Sequence, residues 1–126
     1  MRKPPLILML LLIGWWCFLL LMTHLPKPPP IGPDVGDKTA HLMAYGTLGL
    51  LLYLNLRVRG FSPSRAVAVA IAIVMVGGAV DEWTQPLTGR SCDLLDWCAD
   101  VAGTAIAAEG MAVLDWLSFG RIRVEA

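Results

Sequence analysis

Three sets of polar residues share a helical spacing. Asp37, His41 and Tyr45 recur at intervals of four; Asp81, Glu82 and Gln85 follow Gly78 at offsets of three, four and seven; Asp93, Asp96 and Asp100 repeat at three and four. At about 3.6 residues per turn, each set lies along one face of a helix. Lys38 and Arg90 flank the stripes. Imidazole changes charge near neutral pH and a carboxylate can be tuned by burial, so His41 with Glu82 or Asp96 has the parts for general acid–base work. The oxygen-rich set Asp81, Glu82, Asp96 and Asp100 would suit calcium or magnesium better than zinc, but its spacing assigns no metal and no cofactor is expected. The planar fork of Arg90 fits a phosphate or a carboxylate.

The elements that must position these side chains read as membrane helices. The 126-residue chain is 56% hydrophobic and 16% charged, with a mean hydropathy of +0.64, too apolar for a soluble domain of this size. Apolar stretches run over 6–22, 39–56, 64–83 and 94–117. A hydrocarbon core of about 30 Å needs roughly 17–25 helical residues, so each is long enough to span. The expected architecture is all-α, a single domain of four transmembrane helices. Arg2 and Lys3 precede the first run, but its Met22-Thr23-His24-Leu25 exit lacks a small-x-small cleavage pattern, so an uncleaved helix is expected. The prolines and glycines of 26–36 make a loop, Pro63 stands just ahead of a helix start, and 84–91 joins the last two helices.

Basic residues in short loops give the orientation. Arg2, Lys3, Arg57, Arg59, Arg65, Arg121 and Arg123 share one side against Lys27, Lys38 and Arg90, which puts both termini in the cytoplasm and all three stripes at the outer face of a multi-pass protein of the cell membrane. Trp83 and Trp97 then fall at the outer boundary and Tyr53, Trp116 and Phe119 at the inner one, while Trp15 and Trp16 are expected to pack against neighbouring helices. Ala99, Gly103 and Ala107, with Gly77, Gly78 and Ala79, point to a close approach of the third and fourth helices. Cys17, Cys92 and Cys98 match no metal-ligand spacing and read as packing residues. Ten basic and ten acidic residues balance, which gives no basis for a nucleic-acid partner.

Each polar residue also has a plain structural account. Asp37 and Asp93 read as helix caps. Lys38 and Arg90 could snorkel, neutralise the acids or meet a ligand, and Tyr45 could be an interface aromatic. His41, Glu82, Gln85, Asp96 and Asp100 fall at or inside the apolar boundary, where an unpaired polar group costs several kcal/mol, so they need partners, water or a ligand. Glu109, nine residues beyond Asp100, faces away from the stripe and reads as a protonated acid bonded to a neighbouring helix, with Asn55 or an inner arginine as its contact.

The segments Asp37-Lys38-Thr39-Ala40-His41-Leu42-Met43-Ala44-Tyr45, Asp81-Glu82-Trp83-Thr84-Gln85 and Gly89-Arg90-Ser91-Cys92-Asp93-Leu94-Leu95-Asp96 together resemble the VanZ-like family. Its pattern runs roughly DKxxHxxxY, DExxQ, then GRSxDxxD with an Asn or Asp and a Gly beyond, and covers 37–103 here. The resemblance implies a small multi-spanning membrane protein, in a family whose namesake is associated with resistance to the glycopeptide teicoplanin. Asp100 stands where the family often carries asparagine, so the acidic group needs an extra proton or a bound cation.

These readings lead to an outward-facing polar pocket built from Lys38, His41, Tyr45, Asp81, Glu82, Gln85, Arg90, Asp93, Asp96 and Asp100. The expected ligand is a membrane lipid headgroup or a lipid-linked cell-wall precursor. Whether catalysis occurs stays open: the alternatives are an integral membrane enzyme using His41 with Glu82 or Asp96 on a phosphate or acyl bond, and an interhelical network that only holds the bundle together.

Overall fold

A computed structural model describes residues 5–26 and 36–124, with side chains to Ser118. The proline-rich loop over 27–35 and the basic residues Arg2, Lys3 and Lys27 lie outside the described residues, as do the side chains of Phe119, Arg121 and Arg123. Four helices follow one another: α1 (Leu6–His24), α2 (Asp37–Val58), α3 (Pro63–Thr84) and α4 (Leu94–Val124), with a 3-10 turn over Gln85–Thr88. No strand occurs among the described residues.

Local chemistry sets the helix ends. Gly60, at φ +95°, reverses the chain after α2, where a side chain would be strained. Pro63 then occupies the first position of α3, and the Ser62 hydroxyl accepts the Arg65 N–H at 3.4 Å. Pro86 has no N–H to continue α3, so the chain tightens into the 3-10 turn, which Gly89 ends at φ +81°. Nothing in α4 interrupts the helix at 117; it runs on to Val124, about 47 Å at 1.5 Å per residue.

Helix directions alternate. Lys38, His41, Tyr45 and Tyr53 of α2 meet Asp96, Asp100, Thr104 and Asp115 of α4 at a nearly constant offset, so α2 and α4 run parallel. Trp15 bonds to Ala44 and Asn55 to Leu8, which makes α1 antiparallel to α2. Trp16 packs on Gly77 and Thr23 reaches Asp81, so α1 runs alongside α3 in the same direction.

The closest approach joins α2 to α4. A Cβ on Gly103 would lie 2.1 Å from the Leu42 carbonyl oxygen, and one on Gly49 would lie 2.7 Å from the Thr104 Cα. The expected α3–α4 contact is present as well: Gly78 faces Trp97 and Asp100, and the Trp97 indole reaches the Met75 carbonyl, whereas Gly77 receives Trp16 of α1. Glycine works here because only a missing side chain lets two backbones touch. On α3, Ala66, Ala70, Val74 and Gly78 form a buried stripe with a four-residue repeat, and Glu82 is its next member. The seam of small residues therefore leads directly to the polar cluster.

The outside of the bundle is as apolar as the inside, with Leu10, Ile13, Val76, Val80, Ile106, Val113 and Leu114 all exposed. Three helical segments, Leu6–His24, Pro63–Thr88 and Leu94–Ser118, are long and apolar enough to cross a membrane. The 22-residue α2 matches them in length but carries much of the buried polarity, which lowers its mean hydropathy. Trp83 and Trp116 are exposed as boundary aromatics would be, whereas Tyr53 is fully buried and bonded to Asp115. Cys17, Cys92 and Cys98 are free and exposed rather than packed.

Candidate functional site

The polar ends of α2, α3 and α4 converge. His41 stands between two acids of α4, its Nδ1 2.8 Å from Asp100 Oδ1 and its Nε2 3.7 Å from Asp96 Oδ2. The contacts follow from the parallel register of α2 against α4, which sets one stripe directly on the other. Lys38, one turn nearer the helix start, donates to both Asp96 and Asp93. Asp93 accepts the Leu95 N–H at 2.8 Å and so caps α4, as expected. Donation from Lys38 and from the Leu95 amide holds the Asp93 carboxyl below the ordinary carboxylate range. Asp37 makes no such bond: Gly36 occupies the cap position, and Asp37 is an exposed first-turn acid.

The α3 stripe closes the other side. Glu82 accepts from Gln85 Nε2 at 2.9 Å through one oxygen and from the Asp93 N–H at 3.0 Å through the other, tying the start of α4 to the end of α3. Asp81 accepts from the Tyr45 hydroxyl at 3.1 Å and from Thr23 Oγ1 at 3.0 Å. The His41 and Tyr45 rings lie parallel with centroids 6.2 Å apart. Tyr45 is thus a buried donor rather than an interface aromatic.

His41, Tyr45, Asp81, Glu82, Gln85, Asp96 and Asp100 are all buried, at 7% exposure or less. Arg90 stays partly exposed and makes no ion pair or side-chain hydrogen bond among the described residues, so neutralising the acids falls to Lys38. The buried group remains acid-rich. Two of its acceptors have no partner among the described residues: Asp100 Oδ2 and Gln85 Oε1. Leaving a buried acceptor unbonded costs roughly 1–3 kcal/mol.

Helix α1 adds residues that the motif region does not contain. Besides Thr23, His24 places Nδ1 3.4 Å from Asp81 and Nε2 3.0 Å from Thr84 Oγ1. Both stand at the C-terminal end of α1, the end that the antiparallel register against α2 brings beside the other stripes, so sorting polar residues by helix end would have found them. At the opposite end of the bundle, Asp115 accepts from Tyr53 at 2.6 Å and from Arg57 Nε at 2.7 Å. The two clusters leave Glu109 alone: it is exposed on α4, and Asn55 bonds instead to the Leu8 and Leu51 carbonyls.

Beside the polar cluster, on the outward flank of α3 and α4, lies an open apolar groove of about 460 Å³ lined by Met75, Val76, Ala79, Val80, Trp83 and Trp97. The Trp97 indole donates to the Met75 carbonyl at 3.0 Å, fixing one wall. Gly78 adjoins both Trp97 and Asp100 Oδ2, so a single backbone position separates groove from cluster. No protein-family model, curated protein or solved structure matches the chain.

Proposed function

We propose that the chain is a four-span, multi-pass protein of the cell membrane, of VanZ-like type, with both termini in the cytoplasm. Its outer end binds the headgroup of an envelope lipid or lipid-linked cell-wall precursor. The observation that carries this reading is the side-by-side arrangement of a buried polar cluster and an apolar groove at one end of the bundle. An amphiphile needs both surfaces at once: the groove suits an acyl or prenyl chain, and Lys38 with Arg90, which has no ion pair among the described residues, suits phosphate at the rim. The buried acids hold Lys38 in place and present acceptors to hydroxyl or amide donors. The VanZ-like part of this reading rests on the sequence resemblance over 37–103, and teicoplanin sensitivity is one envelope phenotype to measure.

Native mass spectrometry of gently extracted protein tests the proposal. The wild type should carry a lipid adduct that Arg90→Ala loses at undiminished membrane abundance, because the Arg90 side chain supports no described contact. A wild type without adduct, or an adduct untouched by Arg90→Ala, would refute it. A second reading, acid–base catalysis on a lipid phosphate or acyl bond, is favoured by one feature: His41 sits between Asp96 and Asp100 as an oriented base would. Turnover of a purified candidate lipid, lost in His41→Gln, decides for it.

A further inference from the structure

We infer that His41, Glu82 and Asp100 form a divalent-cation site, with Gln85 as a fourth donor. One ligand atom from each of the three residues lies within 4.8 Å of the others, and all three are buried. Ligands bound at about 2.1 Å in a tetrahedron stand about 3.4 Å apart, so the three side chains must draw together by no more than about 1.4 Å to close the set.

Proximity of acids alone would not make a site. The independent observation is that two fully buried side chains present unsatisfied oxygens here: Asp100 Oδ2 and Gln85 Oε1, both on residues of 0% exposure. The Gln85 amide is fastened through its nitrogen to Glu82, which keeps its oxygen beside the cluster. Asp100 Oδ2 faces α3 at Gly78, one turn from Glu82, where a Cβ would stand only 3.5 Å away. Glycine leaves that space open.

Charge points the same way. Asp81, Glu82, Asp96 and Asp100 are each no more than 3% exposed, and the one lysine among them, Lys38, already serves Asp93 and Asp96. Unpaired buried carboxylates are costly, and a divalent ion would supply the missing positive charge. One imidazole nitrogen with carboxylate and amide oxygens is a mixed set. Imidazole favours a transition-metal ion such as Mn²⁺ or Zn²⁺ over Mg²⁺ or Ca²⁺, which a set of acids alone would suit. The site is independent of the lipid reading and stands if no lipid binds.

The test uses the full chain, purified in detergent and stripped with a chelator, then titrated with Mn²⁺ under electron paramagnetic resonance. One Mn²⁺ per chain should bind, with a nitrogen hyperfine coupling from His41 in the wild type, a readout that needs no variant. Zn²⁺ should displace it, and Mg²⁺ should need at least a hundredfold higher concentration. Asp100→Asn and Glu82→Gln should each weaken binding tenfold or more, while Asp37→Asn and Asp115→Asn leave it unchanged. Absence of bound Mn²⁺, a spectrum without nitrogen coupling, equal competition by Mg²⁺, or a loss on Asp37→Asn equal to that on Asp100→Asn would each overturn the assignment.

Discussion

Replacing Gly103 with alanine should pry α2 from α4 and dismantle the site without touching any of its side chains. The new Cβ would lie 2.1 Å from the Leu42 carbonyl oxygen, 3.0 Å from its carbon and 3.1 Å from the Gly46 nitrogen. A carbon normally approaches a carbonyl oxygen no closer than about 3.3 Å, so the helices must part by about 1 Å. Every obstructing atom is backbone, which no rotamer can move. Separation by that amount would stretch the His41–Asp100 contact from 2.8 Å and the Thr104–Tyr45 bond from 3.0 Å beyond hydrogen-bonding range. Overpacking costs roughly 1–3 kcal/mol, and two buried hydrogen bonds add about 1 kcal/mol each. The expected loss is therefore about 3–5 kcal/mol, read from unfolding in mixed detergent micelles. Gly110→Ala is the control: a Cβ there meets nothing within 4 Å, so the change should be neutral or stabilising by up to about 1 kcal/mol. Should the two variants unfold within about 1 kcal/mol of each other, the close α2–α4 contact is wrong, and with it the geometry of the site.

Three further outcomes follow from other contacts. Asp115→Ala leaves the buried Tyr53 hydroxyl without its acceptor and should cost about 1–3 kcal/mol, whereas adding Tyr53→Phe to that background should recover part of the loss; a double-mutant cycle with no coupling contradicts the pair. The Lys38–Asp93 pair holds the Asp93 carboxyl below its ordinary value, so its contribution is fully present above the unfolded carboxylate pKa of about 3.9 and fades as pH falls through the lower folded value. Asp93→Asn keeps a capping side chain but removes that dependence, so its acid-unfolding limb should be flatter than the wild type's below about pH 4; superimposable limbs would exclude the pair. Glu109 is exposed within the Leu94–Ser118 segment, and removing an acid from the middle of a span is worth about 2.5 kcal/mol of insertion free energy, so Glu109→Leu should raise the inserted fraction in a membrane-insertion assay. An unchanged fraction would place Glu109 away from lipid.

Much of the bundle was legible because helix formation and apolar length are local properties. Apolar runs at 6–22, 39–56, 64–83 and 94–117 became α1 to α4, each within two residues except the C-terminal end of α4, where no proline or exposed turn marks a stop. Intervals of three and four also placed Asp81, Glu82, Gln85, Asp96 and Asp100 on buried faces, since helical periodicity alone decides which residues share a side. Partner identity was not legible in the same way. Small residues on both helices point to a close approach of α3 and α4, which Gly78 makes against Trp97, yet the tightest backbone contact, at Gly103, is with α2, because a small-residue stripe announces an approach without naming the other surface. The sequence pattern points to Tyr53 as a boundary aromatic because Asp115, its partner, lies 62 positions away.

From sequence alone come the apolar helices, the one-ended polarity of three of them and the acid excess, all set by residue type and by a period of 3.6. Tertiary structure decided which atoms meet: that α2 lies parallel to α4, that Lys38 rather than Arg90 answers the acids, that α1 contributes Thr23 and His24, and that Asp100 and Gln85 keep unbonded oxygens. Such pairings depend on helix register and rotation, which are set by backbone contacts between segments far apart in the chain and leave no periodic trace in either one.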